Sequence, residues 1–391
     1  MFMDISSEMI HSLLPVFIVS VLGASTTTLG VLEGFAEGAV NIVKIFSGAL
    51  SDRVHKRKLL ALAGYGMAAL TKPLFPLARS LTFVFVARII DRVGKGIRGA
   101  PRDALVADIV PVEARGASYG LRQTLDTIGA VAGPLSAIFL MLKFRGDFRK
   151  VFWAATLPAF VSVMLLGALV REPSGASPAG QARPRLHWKE LKHFSRSFWF
   201  VVTIGGVFTL ARFSEAFLLL RAKSLGLGND YVPFVLVLMN VFYALSSYPA
   251  GQLSDRMDRR AVLAAGAVAL VAANLVLARA SDLIALVVGV SIWGVHMGLS
   301  QSLMTAMVAD AAPADRRGTA FGLFNLAGGI LLLAASVLAG ILWDCVGSFA
   351  TFYAGATFAA LALGGIIARI TNHPGDSGSH SSPTIVGSVC L

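Results

Sequence analysis

The chain has 391 residues, 55% of them hydrophobic and only 14% charged, with a net charge of +12 and a mean hydropathy of +0.72. A soluble domain is nearer one quarter charged, so this much apolar surface excludes a single soluble core and calls for a bilayer as solvent. It also leaves no room for a soluble catalytic domain, since the longest polar stretches are 171–196 and 372–391.

A helical span needs about 20 predominantly apolar residues. Taken in chain order, the predicted spans are 3–22, 28–50, 59–78, 81–109, 118–142, 151–170, 198–220, 231–253, 261–279, 283–309, 318–342 and 349–370. Span 1 is short: its clear apolar run starts near Leu13, and Asp4 and Glu8 precede it. Either the start of the chain is assigned late or the helix is naturally short. Acidic rather than basic first charges argue against a signal peptide. Span 4 is too long for a straight crossing, and Pro101 is expected to bend it or to begin a short extension.

The basic residues set the orientation. With both termini cytoplasmic, the inner loops hold Arg53, Lys56, Arg57, Lys58 and Arg115, and the 171–197 linker holds several more. Later inner loops add Arg256, Arg259, Arg260, Arg316 and Arg317, whereas the outer loops hold roughly half as many bases. The basic excess therefore reads as a topology signal, not as a nucleic-acid surface. Cys345 and Cys390 show neither pairing nor metal spacing, and no His/Cys cluster points to a metal or cofactor.

The two halves repeat at an offset of about 203 residues. Gly48-Ala-Leu-Ser-Asp52-Arg53 recurs as Gly251-Gln-Leu-Ser-Asp255-Arg256, each followed by bases. Ala107-Asp108 recurs as Ala309-Asp310, and Arg115-Gly116 as Arg317-Gly318. Duplicated membrane halves are typical of secondary transporters, with the solute site at their interface. The domains expected are a six-helix bundle over 1–170, a cytoplasmic linker over 171–197, a second bundle over 198–371 and a cytoplasmic tail over 372–391.

These motifs also resemble those of a known family. Gly48 to Lys58 resembles the loop between helices 2 and 3 of the major facilitator superfamily. Arg88 with Gly94 and Gly96 resembles its helix 4 motif, and Gly129-Ala-Val-Ala-Gly-Pro134 the helix 5 motif common in its antiporters. The resemblance covers essentially the whole chain and departs from the family in span 4, which is far more charged than usual. It implies an all-α membrane protein of about twelve transmembrane helices in two pseudo-symmetric halves. It also implies gating by Gly48, Asp52, Arg53, Arg57, Asp108 and Asp255, with a charged topology loop as the plainer alternative.

A charge at the bilayer centre costs about 2.5–3.5 kcal/mol on insertion scales, so such residues face a partner or a cavity. In span 1 the candidates are Asp4, Glu8 and His11, with Glu8 read as a proton carrier. In span 2, Glu33, Glu37, Asn41 and Lys44 form a stripe that is either a polar seam or part of the solute path. Span 4 places Arg88, Asp91, Arg92, Lys95, Arg98 and Arg102 on one face roughly 120° wide. At least one of Arg88, Arg92 and Lys95 is expected to touch solute or control proton transfer, with Arg102 and Asp103 serving the inner gate and internal Asp91–Lys95 pairing as the alternative. Asp126 in span 5 is a second proton-coupling candidate, unless Arg122 simply pairs with it. Span 7 offers Arg212 as a solute-cavity residue and Glu215 as a third proton-coupling candidate, unless this i,i+3 pair simply neutralises itself. Span 10 holds only Trp293, His296 and Gln301, as cavity wall or ordinary packing.

The reading that follows is a secondary active transporter with no cofactor. It moves a small solute, is coupled to protons, lies in a bacterial inner membrane, is monomeric, and is favoured as an exporter. Uptake of an organic anion, metabolite or metal chelate is the alternative within transport. No Gly-x-x-x-x-Gly-Lys-Ser/Thr loop is present for direct ATP use. No nucleophile–base pair or ligand set supports an enzyme. A non-transporting sensor would need a partner domain longer than the linker or the tail.

Overall fold

A computed structural model describes residues 1–54, 56–111, 115–170, 194–312 and 317–372. It is an all-α membrane protein of twelve crossings in two related halves. The first half contains α1 (Phe2–His11), α2 (Leu14–Val16), α3 (Thr26–Val54), α4 (Arg57–Thr71), α5 (Leu74–Leu77), α6 (Leu81–Ile109), α7 (Arg115–Lys143) and α8 (Phe148–Leu169). The second contains α9 (Arg196–Ala211), α10 (Ala216–Ser224), α11 (Phe234–Arg256), α12 (Arg259–Arg279), α13 (Leu283–Ala311), α14 (Arg317–Cys345) and α15 (Ser348–Asn372).

Nine crossings among the described residues are long and apolar enough to span a membrane. The remaining three are α3, the α4–α5 pair and α6. In α3 and α6 the charges lower the hydropathy, and the α4–α5 crossing is interrupted at Lys72–Pro73. The first crossing is also broken. Pro15 cannot donate to the carbonyl of His11, its i−4 partner, so α1 ends and the chain is rewound through α2 and a π-helical turn at Phe17–Val21. By contrast, α6 runs unbroken through Pro101. It starts cleanly because the Ser80 hydroxyl accepts from Phe83 N at 3.3 Å. Asp147 likewise caps α8, accepting from Arg149 N and Lys150 N.

The duplication seen in sequence is repeated in packing. Crossings 3 and 4 (α4, α6) pair as do crossings 9 and 10 (α12, α13), and α3 meets α6 as α11 meets α13. Crossing 1 lies against crossings 5 and 6 as crossing 7 lies against crossings 11 and 12. The halves join chiefly through α3 on α14, with α7 on α11 and α2 on α10.

The α3–α14 seam is the closest approach of the two halves. A side chain at Gly30 would strike the carbonyl oxygen of Ser336, and one at Gly340 would lie 2.6 Å from Thr26 O. Gly34 and Gly38 continue the stripe along α3 toward Gly329, and small residues at this spacing let helix backbones touch. At the end of the molecule away from the termini, the Asp344 carboxylate of α14 lies on the N-terminus of α3. It accepts from Thr26 N at 3.1 Å, Thr27 N at 2.8 Å and the Thr27 hydroxyl at 2.6 Å, and also binds the Thr26 hydroxyl. The carboxylate thus satisfies amides that a helix start leaves without partners, and it meets the positive end of the helix dipole.

Replacing Asp344 by Ala removes these contacts and is expected to weaken the seal by about 1–3 kcal/mol. In a Cys345→Ser, Cys390→Ser background, Ser336→Cys is buried in the seam and should react slowly with a membrane-impermeant maleimide. Adding Asp344→Ala should raise that rate several-fold. An unchanged rate would mean that the carboxylate contributes nothing to closure.

Candidate functional site

The charged face of α6 does not point into an empty channel; most of it is neutralised by neighbouring helices. Arg88 is 1% exposed and its Nη2 lies 3.0 Å from Glu33 Oε2 on α3. The same nitrogen is 2.7 Å from Nδ1 of His11. A guanidinium only donates, so His11 Nδ1 accepts and the ring proton sits on Nε2. Arg92 Nη1 lies 3.2 Å from Glu37 Oε1, and its Nε lies 3.7 Å from Asp91. Glu33 and Glu37 therefore serve as a seam between α3 and α6. Asn41, one turn further along α3, instead lines a cavity with the second half.

The expected Asp91–Lys95 pair is not formed. Asp91 bonds Lys72 at 2.8 Å, and Lys72 also donates to Ser7 at 3.0 Å. Lys72 stands at the break between α4 and α5, and the interrupted helix carries it into the core, where it is 1% exposed. This residue was missed in the sequence, although a lysine before proline inside an apolar run was the available signal. Nearer the termini, Arg98 lies 3.5 Å from Asp4 and stacks over Tyr65. Asp126 lies 3.5 Å from Arg122 and 3.6 Å from Arg102, and Asp103 bridges the same two arginines. Asp126 is thus held in the pairing with Arg122 that its spacing allowed.

Four interior charges behave differently. Lys95 is exposed, and Glu8, Arg212 and Glu215 are partly exposed. Among the described residues none of them forms an ion pair. The predicted Arg212–Glu215 contact fails because these residues lie in the break between α9 and α10, where Arg212 leaves helical geometry (φ −118°, ψ 70°). Their i,i+3 spacing therefore does not bring the side chains together. The same break leaves Glu215 at the N-terminus of α10, partly exposed. Glu8 is held in place by the Gly129–Pro134 segment of α7. A side chain at Gly133 would lie 2.6 Å from Glu8 Cβ and 2.8 Å from Ile5 O, so only glycine lets α7 sit this close behind Glu8.

On the second-half side, Arg212 lines two adjoining cavities. One also takes Asn41, Thr209 and Asn325, and the other takes Gln301, Met304 and Phe324. Both lie on the termini side of the α3–α14 seam. Thr209 and Asn325 escaped the sequence reading because uncharged polar residues leave little mark in strongly apolar spans. Trp293 and His296 are fully buried and line neither cavity. Trp293 packs on Phe213, while His296 stacks on Phe208 and donates from Nδ1 to Gly266 O at 2.9 Å.

Of the gating candidates, Gly48 faces Ala100 of α6 in ordinary contact, and Arg57 donates to Ala104 O at 3.1 Å. The side chains of Asp52, Arg53, Asp108 and Asp255 lie outside the described residues. In the second half, Arg259 at the start of α12 pairs with Asp310 near the end of α13. Among the described residues no group of three His, Cys, Asp or Glu is placed to hold a metal ion.

The sequence profile described as the Major Facilitator Superfamily matches residues 1–228 and 211–385. The chain belongs to the major facilitator superfamily. It is 32% identical over 348 residues to an uncharacterized MFS-type transporter of Methanocaldococcus jannaschii, covering 87% of this chain and 85% of that one. The multidrug resistance protein MdtH of Proteus mirabilis is 30% identical over 190 residues, covering 46% of this chain and 45% of that protein. Among solved structures, a mutant of the nucleoside transporter NupG superposes with a TM-score of 0.77 at 11% identity, covering 94% and 97% of the two chains. A bacterial homologue of the human lysosomal transporter Spinster, inward-facing and unoccupied, gives 0.75 at 14% identity over 97% and 96%. At these identities the structural matches establish the superfamily fold.

Paired and unpaired carboxylates should differ in stability. Glu33→Gln leaves the Arg88 charge buried without its counter-ion and is expected to cost about 3–5 kcal/mol. Glu215→Gln removes a carboxylate that bonds to no side chain among the described residues and should cost less than about 1 kcal/mol. Thermal unfolding of the two variants in detergent checks this order, and equal losses would contradict it.

Proposed function

We propose that this superfamily member is a secondary active transporter that moves a small solute by alternating access. In this reading it is coupled to protons and works as an exporter, with Glu8 as the proton carrier. The observation that carries the reading is a close seam between the halves along α3, with a cavity beyond it that both halves line and that holds Arg212, which has no ion pair among the described residues. The seam seals α3 from Thr26 to Gly38. The cavities begin where it stops, at Asn41, Asn325 and Gly328. Glu8 is an interior carboxylate, partly exposed and without an ion pair among the described residues, and such a group can exchange its proton as solute arrives and alters the surrounding charge.

The basic loops favour cytoplasmic termini in an inner membrane, so the cavity lies on the cytoplasmic side of the seam. The units that move are the bundles 1–170 and 198–371, joined by the linker 171–197 and followed by the tail 372–391. The protein works as a monomer without a cofactor. Export is favoured by the antiporter-like Gly129–Pro134 segment, which seats α7 directly behind Glu8, and by the name of the Proteus mirabilis relative. Proton-driven uptake is the alternative. Gly48, Arg57 and the charges around them form the termini-side gate in either case.

The test separates access from coupling. In the background lacking Cys345 and Cys390, cysteines introduced for Asn325 on the open side and Ser336 inside the seam are labelled with impermeant maleimide in vesicles of both orientations. A transporter exposes each to its own side in turn, whereas a sensor fixed in one state labels only at Asn325. In energised everted vesicles, a transported solute should dissipate the pH gradient, and Glu8→Gln should abolish that response. A response unchanged in Glu8→Gln would remove Glu8 from the coupling path.

A further inference from the structure

The two cavities beyond the seam share a wall. Gly205, Thr209, Arg212 and Phe324 line both, and the cavities measure about 150 and 240 Å³. Together they stand at the low end of the roughly 300–1,000 Å³ typical of ligand sites. They lie where α3 of the first half meets α9, α13 and α14 of the second.

The polar lining has one sign of charge. Among the described residues, Arg212 is the only charged side chain on either wall, and no carboxylate accompanies it. Glu215 lines neither cavity, and among the described residues no ion pair or hydrogen bond engages the Arg212 guanidinium. The hydroxyls of Thr209, Ser300 and Thr305 donate to carbonyls of their own helices, at 2.8, 2.8 and 3.1 Å. The donors left for a solute are the guanidinium and the side-chain amides of Asn41, Asn325 and Gln301, which form no hydrogen bond among the described residues.

A guanidinium presents its N–H groups as a fixed fork that matches a carboxylate in two parallel bonds. Amides beside it add donors without adding charge. One base among neutral amides balances one negative charge. A phosphate monoester carries about −1.5 to −2 at neutral pH and would be left partly uncompensated, while a cation would meet no acid on either wall.

The rest of the lining is apolar. Phe208, Met304 and Phe324 offer a surface for an uncharged body. Gly205 makes room for the Phe324 ring, since a side chain there would lie 2.5 Å from Phe324 Cε2. Along α3 the next charge toward the termini side is again a base: Lys44, exposed, three residues beyond Asn41. Positive charge on the approach to a site draws anions in.

We propose that the transported solute is a small organic monoanion, a carboxylate on an apolar or aromatic body. Its carboxylate is bound by Arg212 and the neighbouring amides, and its body lies against Phe208, Met304 and Phe324. The assignment rests on the transport reading above.

The test uses the full chain purified in detergent and its thermal stabilisation by matched probes. The probes are benzoate, phenylacetate, cinnamate and hexanoate, each beside its carboxamide, which keeps the shape and removes the charge. Benzylamine and phenyl phosphate serve as comparators of other charge. At least one acid should stabilise the protein, with its amide and both comparators about tenfold weaker or worse in Kd. In Arg212→Gln the acid should fall to the level of its amide, and Arg212→Lys should keep part of the preference. A side chain needed only for folding would weaken acid and amide alike. Three results overturn the proposal: an amide or comparator that binds as tightly as the best acid, an acid preference that survives in Arg212→Gln, or no acid in the series stabilising the protein. The first and third are read in the unaltered chain, so they stand whether or not the variant folds. In each case alternating label access at Asn325 and Ser336 would leave transport itself standing.

Discussion

A guanidinium buried at membrane depth away from any cavity must have a partner, and the way Arg88 finds two organises the first half. Glu33 comes from α3 and His11 from α1, so a single side chain of α6 ties three crossings to one point. Because the guanidinium only donates, it also fixes the His11 tautomer. Lys72 does the same for α4, α1 and α6 through Asp91 and Ser7. Most of the hydropathy lost to charge in α3 and α6 is therefore spent on cohesion. These two crossings fall short as independent membrane spans but are stable as a pair.

The second half achieves cohesion by other means. Its helices are more apolar, and Phe213 packs edge to face on Phe217 and Phe352 and tilted against Trp293 in its interior. Its polar groups are concentrated at the break between α9 and α10 and in the cavities next to it. The repeat has thus kept helix pairing while the chemistry has diverged. One half carries a buried charge lattice, the other an aromatic core with a small polar opening.

The twelve crossings, the duplication and the charged face of α6 were legible because hydropathy and spacing report directly on them. The partners were less legible. Asp91 and Lys95 stand one helical turn apart, yet a closer cation arrives from α4, which only tertiary structure reveals. Arg212 and Glu215 read as a helical pair because nothing local announces that the helix stops at Ala211. Pro15 did announce a break, but the rewound turns beyond it leave no sequence trace. Trp293 and His296 looked like cavity residues because polar and aromatic groups are rare in α13; the structure turns both toward their own half.

The seam between α3 and α14 has a consequence for the electric field across the membrane. From Thr26 to Gly38 it runs 13 residues, roughly 20 Å of helix, against a hydrocarbon core of about 30 Å. If water fills the cleft on the other side, most of the membrane voltage falls across this one seal. Arg212 and the cavities it lines then sit near the potential of the open side, and filling them moves little charge through the field. The electrical work, about 2.3 kcal/mol per elementary charge at 100 mV, falls on the step in which the halves exchange their open and closed ends. It is set by the net charge of the loaded cleft at that moment.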